Sequence, residues 1–389
     1  MKQPLFILSL TVSFISFGQK DLKSDLIFPL QTQHVHSSSI VELPNGDLLV
    51  CWFQGSGERT ENDVVVNGAR LKKGAKKWSE PFLMADTPGQ PDCNPMMFLN
   101  NQGKLFLIWI VVQANRWESS ILKVRTTTDY DRDGAPNWEW QDIILMKPGQ
   151  EFAEQVEKQF KANTKDDLAW AEYARPYEEL LTEAAKDPKK RETGWMSRCT
   201  PTILDNGKIL LPLYSDGFNF GLIAISEDDG ETWSSSLPII GRGLNQPSLV
   251  VRKDGSLDAY LRDDGDAPGR IMLSHSDDEG YSWTFARKSD IPNPGASIEI
   301  TNLKSGKWLL VYNDFDDGRY SLAVTLSDDE GQSWKWKRNL EYIEGGQFAY
   351  PSVIQGKDGK IHITYSYHLS DHNKSIKYVS FPEQWIMEN

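Results

Sequence analysis

The chain has 389 residues, of which 25% are charged, and carries a formal net charge of -13 at pH 7. That balance argues against nucleic acid, whose phosphates it repels, and against an anionic membrane surface, but a local cluster of arginines can still grip an acidic substrate. Three cysteines (Cys51, Cys93, Cys199) are too few for a disulfide framework and lack zinc or redox spacing, so they are expected as buried free thiols.

At the start, Met1-Lys2, the apolar run Leu5 to Phe17 and the small Gly18 read as a signal peptide over residues 1–19. The run is shorter than the roughly 20 residues a membrane span needs, and no cysteine lies near the cleavage point to carry a lipid. Residues 20–389 are therefore expected as an exported, periplasmic or secreted monomer with no membrane anchor. Leu26 to Gln33 has the pattern of an entering strand, suited to completing the last unit of a ring.

Six units follow, each opening with a polar or proline-containing stretch, then an apolar strand, a glycine turn and another apolar strand. The openings begin at His36, Asp92, Arg198, Asn245, Gly295 and Phe348, and the turns are Asn45-Gly46, Gln102-Gly103, Asn206-Gly207, Asp254-Gly255, Ser305-Gly306 and Asp358-Gly359. Asn-Gly and Asp-Gly between apolar runs are strong hairpin signals. Between the second and third units, about 146–195, alternation stops and Phe152, Val156 and Phe160 recur at helical intervals. This insertion reads either as decoration on the rim or as a lid.

Units three, four and five each end in one phrase, S-x-D-x-G-x-[ST]-W: Ser226 to Trp233, Ser276 to Trp283 and Ser327 to Trp334. Its Asp caps a tight turn, its Gly allows positive φ, and its Trp anchors the turn. Degenerate versions end units one and two at Trp78 and Trp138. Repetition at about fifty residues means one supersecondary unit arrayed in a ring. The fold class is all-β, a six-bladed β-propeller with a helical insertion between blades two and three. Asp129 to Gly134 matches the D-x-D-x-D-G start of a calcium loop, but Trp140 stands where the closing Glu belongs, so no metal and no cofactor is expected.

In such a ring the openings converge on one axial funnel. Aligning them on their turns brings His36, Asn94, Arg198, Gln246, Ser297 or Glu299, and Tyr350 together. A second layer follows each inner hairpin: Arg59, Asp63, Arg116, Asp216, Arg262, Asn313, Arg319, Tyr367 and His368. Tyr365 and Tyr367 lie two apart and share a strand face, so at least one of them is expected to pack. Several arginines facing one cavity suit a carboxylate-bearing ligand.

The boxes, the openings and the arginine set resemble the sialidase (BNR-repeat) superfamily over the whole chain after residue 19, apart from the insertion. The resemblance implies that Arg262 and Arg319 hold a substrate carboxylate, that Tyr350 is the reactive tyrosine, and that the loop with Glu58, Arg59 and Asp63 supplies the acid/base through Asp63. Two departures stand out: Val35-His36-Ser37-Ser38 replaces the opening that carries the first arginine, and Gln246 replaces the Glu that activates the tyrosine. Losing that base weakens a tyrosine nucleophile, whereas His36 adds a group that titrates near neutrality.

The expected function is elimination at the terminal uronic acid of an acidic oligosaccharide, such as an ulvan-like or pectin-like one. Loss of water makes the enzyme a dehydratase, and loss of a sugar makes it an exo-lyase. His36 and Tyr350 serve as base and acid in either order, while Arg59, Asn94, Arg116, Arg198, Gln246, Arg262, Arg319, Tyr367 and His368 bind substrate. The alternatives are a sialidase-like exo-glycoside hydrolase using Tyr350 and Asp63, and a propeller that binds acidic glycan without turnover.

Overall fold

A computed structural model of the chain describes residues 21–163 and 175–388. The expected signal peptide and part of the insertion lie outside these residues. Six antiparallel sheets follow one another around a ring, one per repeat. Blade one is made of His34–Glu42, Leu48–Gly55, Val65–Leu71 and Phe82–Ala85, from inner to outer strand. Blades two, four and five repeat this pattern, with inner strands Asp92–Leu99, Leu244–Val251 and Glu299–Asn302. In blade three the inner strand is broken into Met196–Ser197 and Thr202–Ile203, both paired to Ile209–Ser215.

Blade six takes its inner three strands from the C-terminus (Gln347–Gln355, Ile361–Ser370, Asn373–Phe381) and its outer strand, Lys23–Leu26, from the N-terminus. The ring is thus closed by joining the two ends of the chain within one sheet. Just past that strand, Ile27 and Phe28 are buried, and Phe28 stacks on Trp52 of blade one with 4.9 Å between ring centroids.

Most apolar clusters lie between neighbouring blades, where the faces of successive sheets meet. At the periphery the boxes tie blade to blade. In each, the Ser hydroxyl accepts from the Gly N–H and the Asp carboxylate accepts from the Ser/Thr backbone and hydroxyl, with Asp278 bonding Ser282 N at 2.8 Å. The residues at box position four then grip the preceding blade's hairpin. Asn100 donates to the Asp229 carbonyl, Lys208 pairs with Glu279 at 2.7 Å, and Lys253 N donates to Glu330.

Asp129 to Gly134 takes the same place in blade two. Asp131 accepts from Asn45, Asp133 pairs with Lys72, and Arg70 donates to the Tyr130 carbonyl, so protein donors satisfy the carboxylates of the calcium-like stretch. Among the described residues no group of His, Cys, Asp and Glu is arranged to hold a metal. All three cysteines are buried and free.

The insertion forms helices Gln150–Asn163, Arg175–Lys186 and Pro188–Arg191. Phe152, Val156 and Phe160 turn inward onto the flank of blade three, where Phe152 meets Phe218 and Phe160 meets Phe220. None of its described residues lines the axial cavity, so those residues form a brace and not the lid weighed above.

Phe28 is the side chain that locks the closing strand against blade one. Phe28→Ala is expected to lower the unfolding free energy by about 3 kcal/mol, because it removes a buried ring and leaves a cavity. Urea titration followed by tryptophan fluorescence measures this, and an unchanged midpoint would show that ring closure does not depend on the contact.

Candidate active site at the mouth of the axis

Four of the six inner strands lose register with their neighbour at one point: between His36 and Ser39, Cys93 and Met96, Asn245 and Ser248, and Ala349 and Ser352. Within each bulge one residue is left-handed: Ser37 (φ 53°), Asn94 (46°), Gln246 (51°) and Tyr350 (57°). For residues with a Cβ this conformation costs on the order of 1–3 kcal/mol each, and such strain concentrates at functional centres. Each of the four stands nine residues before its turn glycine (Gly46, Gly103, Gly255, Gly359). The same count gives Arg198 and Ser297 in blades three and five. The counterpart of Asn94, Gln246 and Tyr350 in blade one is therefore Ser37, one residue beyond the position assigned from sequence. His36 reaches the cavity from the last paired position before the bulge.

The bulges open onto a cavity of ≈ 380 Å³ whose wall is overwhelmingly polar. His36, Asn94, Asp216, Gln246, Arg262, Arg319 and Tyr350 all line it, so seven of the residues expected at the funnel do meet there. Tyr350 is the centre of the arrangement. Its hydroxyl oxygen accepts from Arg262 Nη1 at 2.8 Å and from Gln246 Nε2 at 3.2 Å, leaving its own proton directed elsewhere. Arg198 and Arg319 lie 5.0 and 5.8 Å from its ring centre, and the His36 ring lies 4.1 Å away at 49°. A hydroxyl bonded by a cation and flanked by two more is prepared for the negative charge that grows on its oxygen as a proton leaves.

Burial pushes the His36 imidazole well below its ordinary 6.5, and His34, His368, Arg319 and Arg198 push the same way. The ring is consequently neutral at neutral pH. Three carboxyl groups, Glu58, Asp216 and Asp264, also line the cavity. Burial raises Asp216 from 3.8 to about 6; Asp264 and Glu118 add to this, while Arg262 and Arg59 oppose it. Burial also raises Glu58, against the pull of Arg59, Arg319 and Arg262. Asp264 is committed to Arg262, at 2.7 Å, and fixes the guanidinium that faces Tyr350.

Several expected residues lie elsewhere. Asp63 is exposed and bonds back to the backbone and hydroxyl of Ser56, closing its own loop, and Glu58 from that loop takes the place in the cavity. Arg59 stands behind Trp117, 5.4 Å from its ring, and Arg116 is exposed on the same loop as Trp117. Arg198 is fully buried beneath Tyr350, where it donates to the Pro351 carbonyl and supports the site from below. Tyr367 stacks on Phe348 with Lys377 over its ring, on the interblade face it shares with Tyr365. His368 points the other way, into a smaller adjoining cavity.

Sequence reasoning missed Trp117, Tyr214, Asn219 and Asn245. Trp117 offers a flat apolar face suited to a sugar ring, and Tyr214 accepts from Asn94 at 3.0 Å. Asn219 donates to Tyr177 of the helical insertion at 2.7 Å, so the brace fixes one wall of the cavity. The one readable signal was Tyr214, two residues before Asp216 at the end of the strand Ile209–Ser215.

A family model described as BNR repeat-like domain matches residues 46–175 and 185–363. No curated protein matches the chain. Among solved structures, a Dyadobacter fermentans protein of unknown function is 15% identical, covering 93% of this chain and 99% of its own, with a TM-score of 0.67. The NanB sialidase of Streptococcus pneumoniae is 12% identical, with coverage of 93% and 71% and a TM-score of 0.68. A leech intramolecular trans-sialidase solved with 2,7-anhydro-Neu5Ac is 13% identical, with coverage of 94% and 71% and a TM-score of 0.69. At these identities the likeness is one of fold.

A carboxyl raised in the folded state holds a proton there that the unfolded chain has already released. Asp216 thus weakens the fold progressively as pH rises from 3.8 towards about 6, by about 3 kcal/mol in total. Asp216→Asn is expected to be more stable than the parent at about pH 7.5, with the gain fading towards about pH 4. Urea unfolding at several pH values tests this, and a gain independent of pH would remove the assignment of a raised carboxyl.

Proposed function

The chain belongs to the BNR repeat-like family, and within it we propose an enzyme that eliminates water or a sugar from a terminal uronic acid of an acidic oligosaccharide. One observation carries this reading. The hydroxyl of Tyr350 is held by two donors, Arg262 and Gln246, beside a neutral imidazole, and no carboxylate of the described residues touches it. A tyrosine serving as a nucleophile needs a base to take its proton, and Gln246 cannot be that base.

In the proposed reaction the substrate carboxylate lies against Arg262 and Arg319, which stabilise the enolate-like charge that forms when the C5 hydrogen leaves as a proton. The C5–H electron pair becomes the C4=C5 double bond, the C4–O bond breaks, and its electrons go to the departing oxygen. His36 takes the proton and Tyr350 protonates the departing oxygen, or the roles are reversed. A bound carboxylate also offsets the cationic surroundings that keep His36 neutral, so substrate makes the imidazole a better base.

A second reading rests on two carboxyl groups of the cavity whose burial favours the protonated form. Asp216, raised to about 6, and Glu58 are suited to protonate a glycosidic oxygen, as exo-hydrolysis requires. Release of free monosaccharide with a gain of one water marks hydrolysis. Elimination gives an ultraviolet-absorbing unsaturated uronate, with loss of one water if the enzyme is a dehydratase.

Tyr350→Phe is expected to lower kcat by about 10²–10⁴-fold with little change in KM, because it removes proton transfer and leaves the cavity filled. Mass spectrometry of uronate-capped oligosaccharides gives the rate and the product together. Turnover that survives in Tyr350→Phe, or no new double bond with any uronate substrate, would overturn the elimination.

A further inference from the structure

Next to the main cavity, and sharing His36, Glu58 and Arg319 with it, is a second cavity of ≈ 300 Å³. Its remaining wall includes His34, His368 and Lys374, with Asp371 at the rim. Three imidazoles therefore face one space, with ring centres 5.7, 5.9 and 6.2 Å apart. His368 Nε2 meets the Val35 carbonyl at 2.7 Å, and Glu58 stands 4.0 Å from His34 Nε2, beyond hydrogen-bond reach.

His36 is only 7% exposed, yet among the described residues its Nδ1 has no hydrogen-bond partner, and neither does the buried Nε2 of His34. Unsatisfied buried polar atoms are costly and call for an explanation. The charges around them are mostly cationic. Burial lowers His34 to about 4, with His368 and Lys374 adding to the effect, and burial lowers His368, with Lys374 and Arg319 adding while the Val35 carbonyl and Asp371 oppose. Of the two carboxyl groups that line the cavity, Asp371 is exposed, and burial raises Glu58 towards its neutral form.

We propose that this side cavity is a second anion subsite, taking an oxyanion substituent on the sugar next to the one held at Tyr350. Ring nitrogens of His34 and His36 supply donors that nothing else uses, and Lys374 and Arg319 supply charge from two other blade elements. A sulfate ester and a second carboxylate share this chemistry. The placement on a neighbouring sugar rests on the function proposed above, but the binding of an oxyanion does not. An anion here takes up protons on His34 and His368, so its affinity falls as pH rises.

Histidine side-chain resonances are followed while inorganic sulfate replaces chloride at constant ionic strength. His34 and His368 are expected to shift saturably and to titrate at higher pH with sulfate bound. Lys374→Met (or Lys374→Gln, should the first misfold) weakens sulfate about tenfold, whereas Lys335→Met, far out on a box turn, leaves it unchanged. Absence of a saturable shift, or equal affinity in the Lys374 variant and the parent, overturns the subsite.

Uronate-capped oligosaccharides bearing a sulfate, a second carboxylate or neither on the adjacent sugar then identify the source. A rise in KM in the Lys374 variant confined to one charged substituent names it, and an equal rise with all three shows that the cavity does not read the substituent. Failure of every oligosaccharide to react removes the proposed function, while the sulfate titration still decides the subsite.

Discussion

The site exists because four of the six inner strands break register once, at the same point, on their way along the axis. A regular ladder alternates side chains between the two faces of a blade, and both faces are buried against neighbouring blades. The extra residue of a bulge has no partner opposite it and belongs to neither face. In blades two, four and six it is Asn94, Gln246 and Tyr350, and each lines the axial cavity. The left-handed conformation is unfavourable for every one of them, so the surrounding structure must impose it. Buried hydroxyls do part of this: Ser366 accepts from Ser37 N, and Ser39 accepts from Met97 N.

That imposition requires a rigid ring, and rigidity comes from the periphery. Each box turn is closed by its own Asp and Ser, then reaches the hairpin of the blade before it through residues such as Asp229, Glu279 and Glu330. The last gap is spanned by Lys357 N on Glu42 and by the N-terminal strand in blade six. Contacts of this kind are individually weak at an exposed surface. Repeated around a closed circle they resist sliding between blades, which is the motion that would open the axial cavity.

The period of the repeats made the ring legible, because turn glycines and box tryptophans mark hairpin ends whatever lies between them. The axial positions were legible wherever the count from the turn was kept, as for Asn94, Gln246 and Tyr350. In blade one the count was kept to His36 instead of Ser37, and the residue still reached the cavity from the paired position beside the bulge. Side-chain parity was legible for Tyr365 and Tyr367 as a pair. Which face met the axis was not, since that depends on where the bulge resets alternation. Loop residues were the least legible. Asp63 bonds to its own loop and Glu58 replaces it, and Trp117 comes from irregular turns that contain the left-handed Ala114 and Asn115.

The two departures from the sialidase pattern, His36 and Gln246, are best understood together. Both lie against Tyr350, and together they exchange a permanent cation and a permanent anion for two neutral groups. The local charge is thereby kept in balance, while the base that a nucleophilic tyrosine would use is lost. What remains at Tyr350 is positive: Arg262 on its oxygen, Arg198 and Arg319 beside its ring, and no carboxylate of the described residues in contact. Asp264 is paired with Arg262, and burial holds Asp216 and Glu58 towards their protonated forms. A cavity with this charge balance favours an acid group beside Arg262 and Arg319, so in the proposed elimination the substrate's orientation is set by charge before any hydrogen bond forms, with its reacting carbon beside Tyr350 and His36.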